Sequence, residues 1–275
     1  MLRPNLSLFL AAAFLAACSN NANGSATGSN GAVNVSGSTA LLPLVKQAAQ
    51  RYQAEHSDVK ISVSGGGSRV GLTQAMEKAV DIGDSDIPPG KEQTALLDHK
   101  VAVVSFAVVT NPSAGVKNLS KKQIADIFTG KITDWKQVGG SGGKITIINR
   151  PKSSGTRAVF VSVVLGNQQP TAEGLTQDSS GTVVTTVGQT PGAVSYVSTG
   201  YLKNANVTSV GIGGVQPTDA NVMSGRYPFW SYEHMVTYGE PNKAAADFID
   251  YVSKDRADLK QLGFLPANTV KPASR

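Results

Sequence analysis

From Val33 onward, short β-rich runs alternate with segments of helical periodicity. The runs "VNVSG", "VKISVSGG", "VAVVSFAVVT", "KITIIN" and "GAVSYVS" are rich in β-branched residues and predict strands. The segments "LLPLVKQAAQRYQAEH" and "LTQAMEKA" predict helices, because their apolar residues recur every three or four positions. The stretch "KDRADLKQ" (254–261) predicts the solvated face of a C-terminal helix. Strands separated by helices indicate an α/β fold with largely parallel sheets, and no repeat of twenty to fifty residues interrupts the pattern.

The first 32 residues have a different character. "MLRPNLSLFLAAAFLAAC" combines Arg3 with an apolar run over residues 6–17 and small residues before Cys18, the pattern of a secretory signal. "LAAC" at its end is similar to a bacterial lipobox, so residues 1–18 are predicted as a lipoprotein signal peptide and Cys18 as the lipidated residue. The alternative is an ordinary signal peptide. Residues 19–32, "SNNANGSATGSNGA", lack apolar periodicity and predict a flexible tether.

Composition narrows the classes of function. The chain of 275 residues carries 40% hydrophobic and 16% charged residues, typical of a globular protein, and a formal net charge of +6. Its basic residues are scattered among acids rather than gathered in a block, so nucleic acid is not a predicted partner. With Cys18 as the one cysteine and with His56, His99 and His234 far apart in sequence, no disulfide and no metal site are predicted.

Three predicted strand-to-helix turns are rich in hydrogen-bond donors. They are "SGSTALL" (36–42), "SGGGSRVGL" (64–72) and "SSGTRAV" (153–159). A helix N-terminus presents unpaired N–H groups and a partial positive charge, hydroxyls add donors, and glycine lets a ligand approach the backbone. One such turn is an ordinary helix cap, but three suggest a shared anion. None matches the nucleotide-binding P-loop or dinucleotide fingerprint.

A fourth segment, "AVDIGDSDIPPG" (79–90), brings three carboxylates near that predicted site: Asp81, Asp84 and Asp86. A carboxylate beside an anion is favourable when the anion still carries a proton, because it accepts a hydrogen bond from P–OH and repels fully deprotonated sulfate. The alternative for each aspartate is a solvated turn residue or a helix cap.

Together these motifs resemble the PstS family, the phosphate-binding proteins of bacterial ABC-type phosphate importers. The elements "GSTAL", "GGGSRVG", "DIGDSDIP", "IADIFTGKITDWKQVGG" (124–140), "RPKSSGTR" and "GAVSYVSTGYL" (192–202) match in order and approximate spacing over essentially all of the mature region. The resemblance implies a two-lobed periplasmic-binding-protein type II fold with two hinge crossovers and a ligand cleft between the lobes. It places lobe 1 at residues 33–107 plus 226–275 and lobe 2 at residues 108–225.

The resemblance also implies the phosphate ligands by position. They are Ser38, Thr39, Ala40, Ser68, Asp86, Arg150, Ser154, Gly155 and Thr156. Asp86 aligns with the acceptor of the phosphate proton and Arg150 with the charged donor. One position departs from the pattern: some family members carry an acidic residue two positions after this arginine, where it pairs with the guanidinium, but this chain has Lys152. What orients Arg150 is therefore open at this point.

The function implied by the resemblance is high-affinity binding of inorganic phosphate at the cell envelope and its delivery to an ABC permease with a cytoplasmic ATPase. The expected protein is a monomer without cofactor, held by lipid on the outer or periplasmic side of the bacterial cell membrane, and is not an enzyme. The alternatives are a phosphate sensor or adhesin on the same fold, a binding protein for sulfate, molybdate or tungstate, and a phosphatase using Ser68 or Ser154. The phosphatase would need a base or metal that the sequence does not supply.

Overall fold

The computed structural model describes residues 31–270. The predicted signal peptide with Cys18, and all but the last two residues of the predicted tether, lie outside this range. The strands are β1 Ala32–Gly37, β2 Lys60–Gly65, β3 Ile82–Ser85, β4 Leu96–Thr110, β5 Asn118–Leu119, β6 Thr146–Asn149, β7 Leu175–Thr176, β8 Ala193–Ser198, β9 Thr208–Ile212, β10 Trp230–Tyr238 and β11 Phe264–Pro266. The α-helices are α1 Leu42–Glu55, α2 Ser68–Met76, α3 Lys121–Phe128, α4 Gly155–Val159, α5 Ser180–Gln189, α6 Asp219–Met223, α7 Lys243–Lys254 and α8 Arg256–Gln261.

The sheet pairing separates two groups of strands joined by β4 and β10. In one group β1 lies between β2 and β3, all parallel, and β10 pairs antiparallel with β3. In the other, β6 pairs parallel with β7 and β8. Strand β4 belongs to both, because it pairs with β10 from Leu96 to Ser105 and with β8 from Phe106 to Thr110, antiparallel in each case. The prediction of largely parallel sheets is thus correct at the outer strands and wrong at the centre, where one long strand and its return strand run antiparallel.

The continuous apolar run in β4 has a direct structural reason. Every residue from Val101 to Thr110 is buried, so both faces of the strand are covered. On one side, Tyr196 of β8 stacks on Phe160, with ring centroids 3.9 Å apart. Helix α1 follows the predicted period and buries Leu44, Val45, Ala48, Ala49 and Tyr52.

The helices within residues 31–270 were also compared with the length of a membrane span. None of them is long and apolar enough to cross a membrane.

The C-terminal helical region differs from its prediction. Helix α7 ends at Lys254, and Asp255 caps a second helix, α8, through hydrogen bonds from the backbone of Ala257 and Asp258. The Asp258 side chain is fully buried, where it accepts hydrogen bonds from Gln47 at 2.5 Å and pairs with Arg51 at 2.7 Å. The expectation that residues 254–261 form one solvated face is therefore wrong at Asp258, because α8 packs against α1.

Candidate functional site

The predicted ligand residues follow the carboxyl ends of four strands. Ser38 comes directly after β1, Asp86 after β3 and Arg150 after β6, while Ser68 opens α2 shortly after β2. The carboxyl ends of parallel strands lie at the same edge of a sheet, where ligands bind in open α/β folds. All nine predicted ligand residues are buried, and hydrogen bonds between distant segments, described below, join several of them in one interior cluster.

Asp86 is the centre of this cluster. Its Oδ1 accepts a short hydrogen bond from the Ser38 hydroxyl, and its Oδ2 accepts one from Thr156 Oγ1 at 2.7 Å. Its backbone N–H donates to Ser68 Oγ at 2.9 Å. The Ser38 oxygen also accepts from the backbone N–H of Ala40 at 3.0 Å. One carboxylate therefore links segments from three of the four strand ends through donors of the kind that bind an anion.

Arg150 lies in the same interior, only 1% exposed. Its Nη2 donates to Thr39 Oγ1 at 3.2 Å and to the Asp178 carbonyl at 3.0 Å. These contacts answer the question raised by Lys152: a hydroxyl and a backbone carbonyl orient the guanidinium, and within residues 31–270 it forms no ion pair. Burial lowers the pKa of Arg150, and the nearby Tyr196 and Asp86 oppose that change. The side chain still carries its charge, because an arginine pKa begins so far above neutrality.

Two Arg150 nitrogens are unpaired in the described part of the chain. Nε and Nη1 are buried and have no hydrogen-bond partner among residues 31–270. A buried charged donor without an acceptor is strongly unfavourable. A guanidinium in this condition, beside hydroxyls and helix N-termini, fits an anionic ligand.

The segment "RPKSSGTR" combines a helix cap with the anion cluster. Ser154 caps α4, its Oγ accepting from the Arg157 backbone N–H at 3.2 Å, and the helix begins at Gly155. The Arg157 side chain donates back to the Arg150 carbonyl at 2.6 Å. Gly155 lies so close to the opposite segment that a Cβ there would stand 2.6 Å from Ser68 Cβ. Glycine is required by this close approach.

Sequence reasoning missed a fourth donor-rich turn, "QDSSGT" (177–182). Ser180 opens α5, and both its N–H and its hydroxyl lie within hydrogen-bond distance of Thr39 Oγ1, at 3.2 and 3.3 Å. Tyr201 donates to the Thr39 carbonyl at 2.7 Å. The Ser-Ser-Gly-Thr run before a helical pattern was a usable signal, of the same kind as the other three turns.

The three candidate aspartates separate clearly. Asp81 accepts from the Asn34 backbone at 2.8 Å, away from the cluster, so the turn-residue interpretation is correct for it. Asp84 and, unpredicted, Glu233 of β10 are fully buried beside Asp86. Burial, with the Asp86 charge as second cause, raises the pKa of Asp84 and of Glu233 well above the ordinary range. A lone glutamate in the β-rich run "WSYEHMVTY" was the only sequence signal for Glu233.

The alternative of a phosphatase would need an activated serine or a metal ion at this site. Ser68 Oγ and Ser154 Oγ both accept hydrogen bonds from backbone N–H groups, and His234 pairs with Asp98 at 2.6 Å. Within residues 31–270 no three His, Cys, Asp or Glu side chains are arranged to hold a metal ion. The arrangement is thus one of hydroxyl and N–H donors around the Asp86 carboxylate, and within residues 31–270 neither Ser68 nor Ser154 donates a hydrogen bond to a basic side chain.

Comparisons with known proteins identify the family of this chain. The family model described as the PBP superfamily domain matches residues 22–256. The phosphate-binding protein PstS of Bacillus subtilis is 45% identical over 249 residues, which cover 88% of this chain and 83% of that protein. A solved Clostridium perfringens structure, described as a phosphate ABC transporter substrate-binding protein with bound phosphate, superposes with a TM-score of 0.81 at 29% identity, covering 86% of this chain and 99% of that one. An ABC-type phosphate transport receptor from Vibrio cholerae gives a TM-score of 0.70 at 25% identity, with coverages of 87% and 100%.

These similarities extend over most of the chain. They confirm the predicted α/β fold of the two-lobed periplasmic-binding-protein class. By sequence and by structure, this chain belongs to the PstS family of phosphate-binding proteins within the PBP superfamily.

Proposed function

We propose that the chain binds inorganic phosphate in the Asp86–Arg150 cluster and delivers it to an ABC-type import permease. The observation that carries this proposal is the pairing of one carboxylate acceptor with a buried guanidinium whose Nε and Nη1 lack partners among the described residues. A ligand suited to both must be an anion that also donates a hydrogen bond. Phosphate retains a proton near neutral pH, whereas sulfate does not, and Asp86 would repel sulfate.

The nine predicted ligand residues take distinct roles in this proposal. The hydroxyls and the backbone N–H groups donate to phosphate oxygens, Arg150 adds a charge-assisted donor, and Asp86 accepts the phosphate proton. The donors are Ser38, Thr39, Ala40, Ser68, Ser154, Gly155 and Thr156. Several of them now bond to each other or to Asp86, so a bound phosphate would replace internal hydrogen bonds rather than meet free groups.

We place the approach to the cluster at a basic surface pocket beside the ligand segments. Arg69, Lys152 and Arg157 line a surface pocket of about 450 Å³, and each is a sequence neighbour of a proposed ligand segment. Positive charge at the mouth of a cleft raises the local concentration of an anion and its rate of association. Lys152, the departure from the family pattern, therefore contributes to the approach rather than to the orientation of Arg150.

The cluster joins the two proposed lobes, residues 33–107 plus 226–275 and residues 108–225. The partner change along β4 between Ser105 and Phe106 supports a crossover there. Contacts across the cleft include the Arg69 backbone N–H to the Ser153 carbonyl at 3.0 Å and Arg69 Nε to the Lys152 carbonyl at 3.1 Å. Closure of one lobe on the other would exclude water and strengthen each hydrogen bond to the ligand.

The cellular setting completes the proposal. Lipidation at Cys18, with residues 19–32 as a tether, would hold a monomeric binding domain at the bacterial membrane on its outer or periplasmic side, without a cofactor. Relatives named as phosphate-binding proteins and transport receptors support binding and delivery rather than catalysis.

Titration calorimetry of the purified chain with phosphate, and with sulfate as competitor, tests this function. We expect phosphate to bind and sulfate to compete poorly. Arg150→Ala should weaken phosphate binding by about 30- to 1000-fold, because it removes a charged donor from a desolvated site. Arg226→Ala, at an exposed arginine, is the matched control and should bind like the parent. Equal affinities of the parent and Arg150→Ala, with unchanged melting temperatures, would show that the anion site lies elsewhere.

A further inference from the structure

Glu233 occupies an unusual position for a glutamate. It lies in β10 at an irregularity in the pairing with β4, and it is fully buried. The antiparallel pairing of β10 with β3 ends where His234 stands opposite Ser85, and Ser231 of β10 donates to the Asp86 carbonyl at 2.7 Å. Glu233 lies between these two contacts, and the Asp86 carboxylate is close enough to act on its side chain. The fold therefore places a second carboxyl group close to the acceptor of the anion site.

Among the described residues, no lysine, arginine or histidine forms an ion pair with this second carboxyl group. Both Glu233 oxygens are buried without a hydrogen-bond partner of good geometry among residues 31–270. The charged groups that raise the pKa of Glu233 are Asp86 and Asp84. Glu233 is in turn one of the groups that raise the pKa of Tyr201. Arg150, the cation of the cluster, interacts electrostatically with Asp86 and Tyr201. His234, the next residue, is held by Asp98 instead.

An ionised Glu233 in this place would oppose the proposed ligand. Its negative charge would add to that of Asp86, with one guanidinium to balance both of them beside a phosphate. A buried charge without a partner is disfavoured, and like charges nearby disfavour it further, so this environment favours the neutral acid. The raised pKa of Glu233 agrees with this geometry.

We propose that Glu233 is a positioning residue that stays protonated close to Asp86 and so limits phosphate binding at high pH. The inference rests on the proposed function of the same site. Below the pH at which Glu233 ionises, Asp86 contributes the one negative charge of this carboxyl pair. Above it, a second negative charge repels the anion. Bound phosphate in turn holds the Glu233 proton more tightly, because linkage between the two sites is reciprocal.

The test compares the pH dependence of phosphate affinity in the parent and in Glu233→Gln. Glutamine keeps the size and the neutral form of the side chain but cannot ionise. We expect similar affinities near about pH 6 and, toward about pH 9, an additional loss in the parent of up to about tenfold per pH unit. Phosphate itself changes charge over this range, but equally for both proteins, so the difference between the curves reports on Glu233. Glu240→Gln, at an exposed glutamate beyond the end of the same strand, should follow the parent.

The possible outcomes separate this inference from the proposed function. Parallel pH profiles for the parent and Glu233→Gln would overturn the inference and leave phosphate binding intact. A variant that melts like the parent but binds more weakly by a constant factor at every pH would also overturn it, because Glu233 would then be structural only. If neither protein binds phosphate at any pH, the proposed function fails first.

Discussion

Gly155→Ala tests the closed packing of the site with a single methyl group. Gly155 opens α4, and a Cβ at this position would stand 2.1 Å from Ser68 Oγ, 2.6 Å from Ser68 Cβ and 2.9 Å from Asp86 Cβ. The Ser68 hydroxyl could rotate away, with loss of its hydrogen bond from the Asp86 backbone. The two Cβ atoms cannot move without their backbones. The added methyl group must therefore push α4 away from the segments that carry Ser68 and Asp86.

The magnitude follows from the number and kind of these contacts. Overpacking of a well-filled interior costs about 1–3 kcal/mol. In the proposed function, Gly155 belongs to one lobe and Ser68 and Asp86 to the other, so this cost falls on the closed, phosphate-bound form. It corresponds to a loss of about 5- to 150-fold in phosphate affinity. The melting temperature without phosphate should change little, because separated lobes relieve the clash.

Calorimetry gives the affinity, and thermal melts with and without phosphate give the stability of each form. Gly181→Ala is the matched control: it lies in the first turn of α5, and its Cβ would meet Tyr201 Cε1 only at 3.8 Å. Both substitutions replace glycine by alanine in the first turn of a helix, so the difference between them isolates the clash. Parent-like phosphate affinity in Gly155→Ala would refute the requirement for this close approach.

Two further predictions concern the buried carboxyl groups. Asp86→Asn should narrow the discrimination of phosphate over sulfate, because the amide donates a hydrogen bond where the carboxylate repels; unchanged selectivity in competition calorimetry would remove Asp86 from the proton-reading role. Asp84→Asn should raise the melting temperature by an amount that grows between about pH 4 and neutrality. The reason is that a carboxyl group with a raised pKa in the folded state contributes stability below its unfolded pKa and loses it as the pH rises through the folded pKa. The loss amounts to at most about 1.4 kcal/mol per pH unit. A difference in melting temperature between the parent and the variant that stays constant over this pH range would contradict the raised pKa of Asp84.

Much of the fold was predictable because its signals are local. The period of α1, the continuous apolar run of β4 and the Ser-Gly turns before α2 and α4 each reflect the conformation of neighbouring residues. The antiparallel centre was not predictable in the same way. The β-branched run of β4 looks the same whether its partner runs parallel or antiparallel, and the return of β10 from more than a hundred residues away decided the direction.

The residues of the candidate site also fall into those that local sequence predicts and those that only the tertiary structure reveals. The sequence by itself determined the donor-rich turns, the acidic segment and the arginine, because the hydrogen-bonding groups and charges of these residues depend only on residue type. Only the tertiary structure decided that Asp81 lies apart, that the Asp178 carbonyl replaces an acidic partner for Arg150, and that Glu233 lies close to Asp86. Each of these depends on contacts between distant segments, and burial changes what a carboxyl group does: Asp81 pairs with the backbone at an exposed edge, whereas Glu233 in the interior is driven to keep its proton.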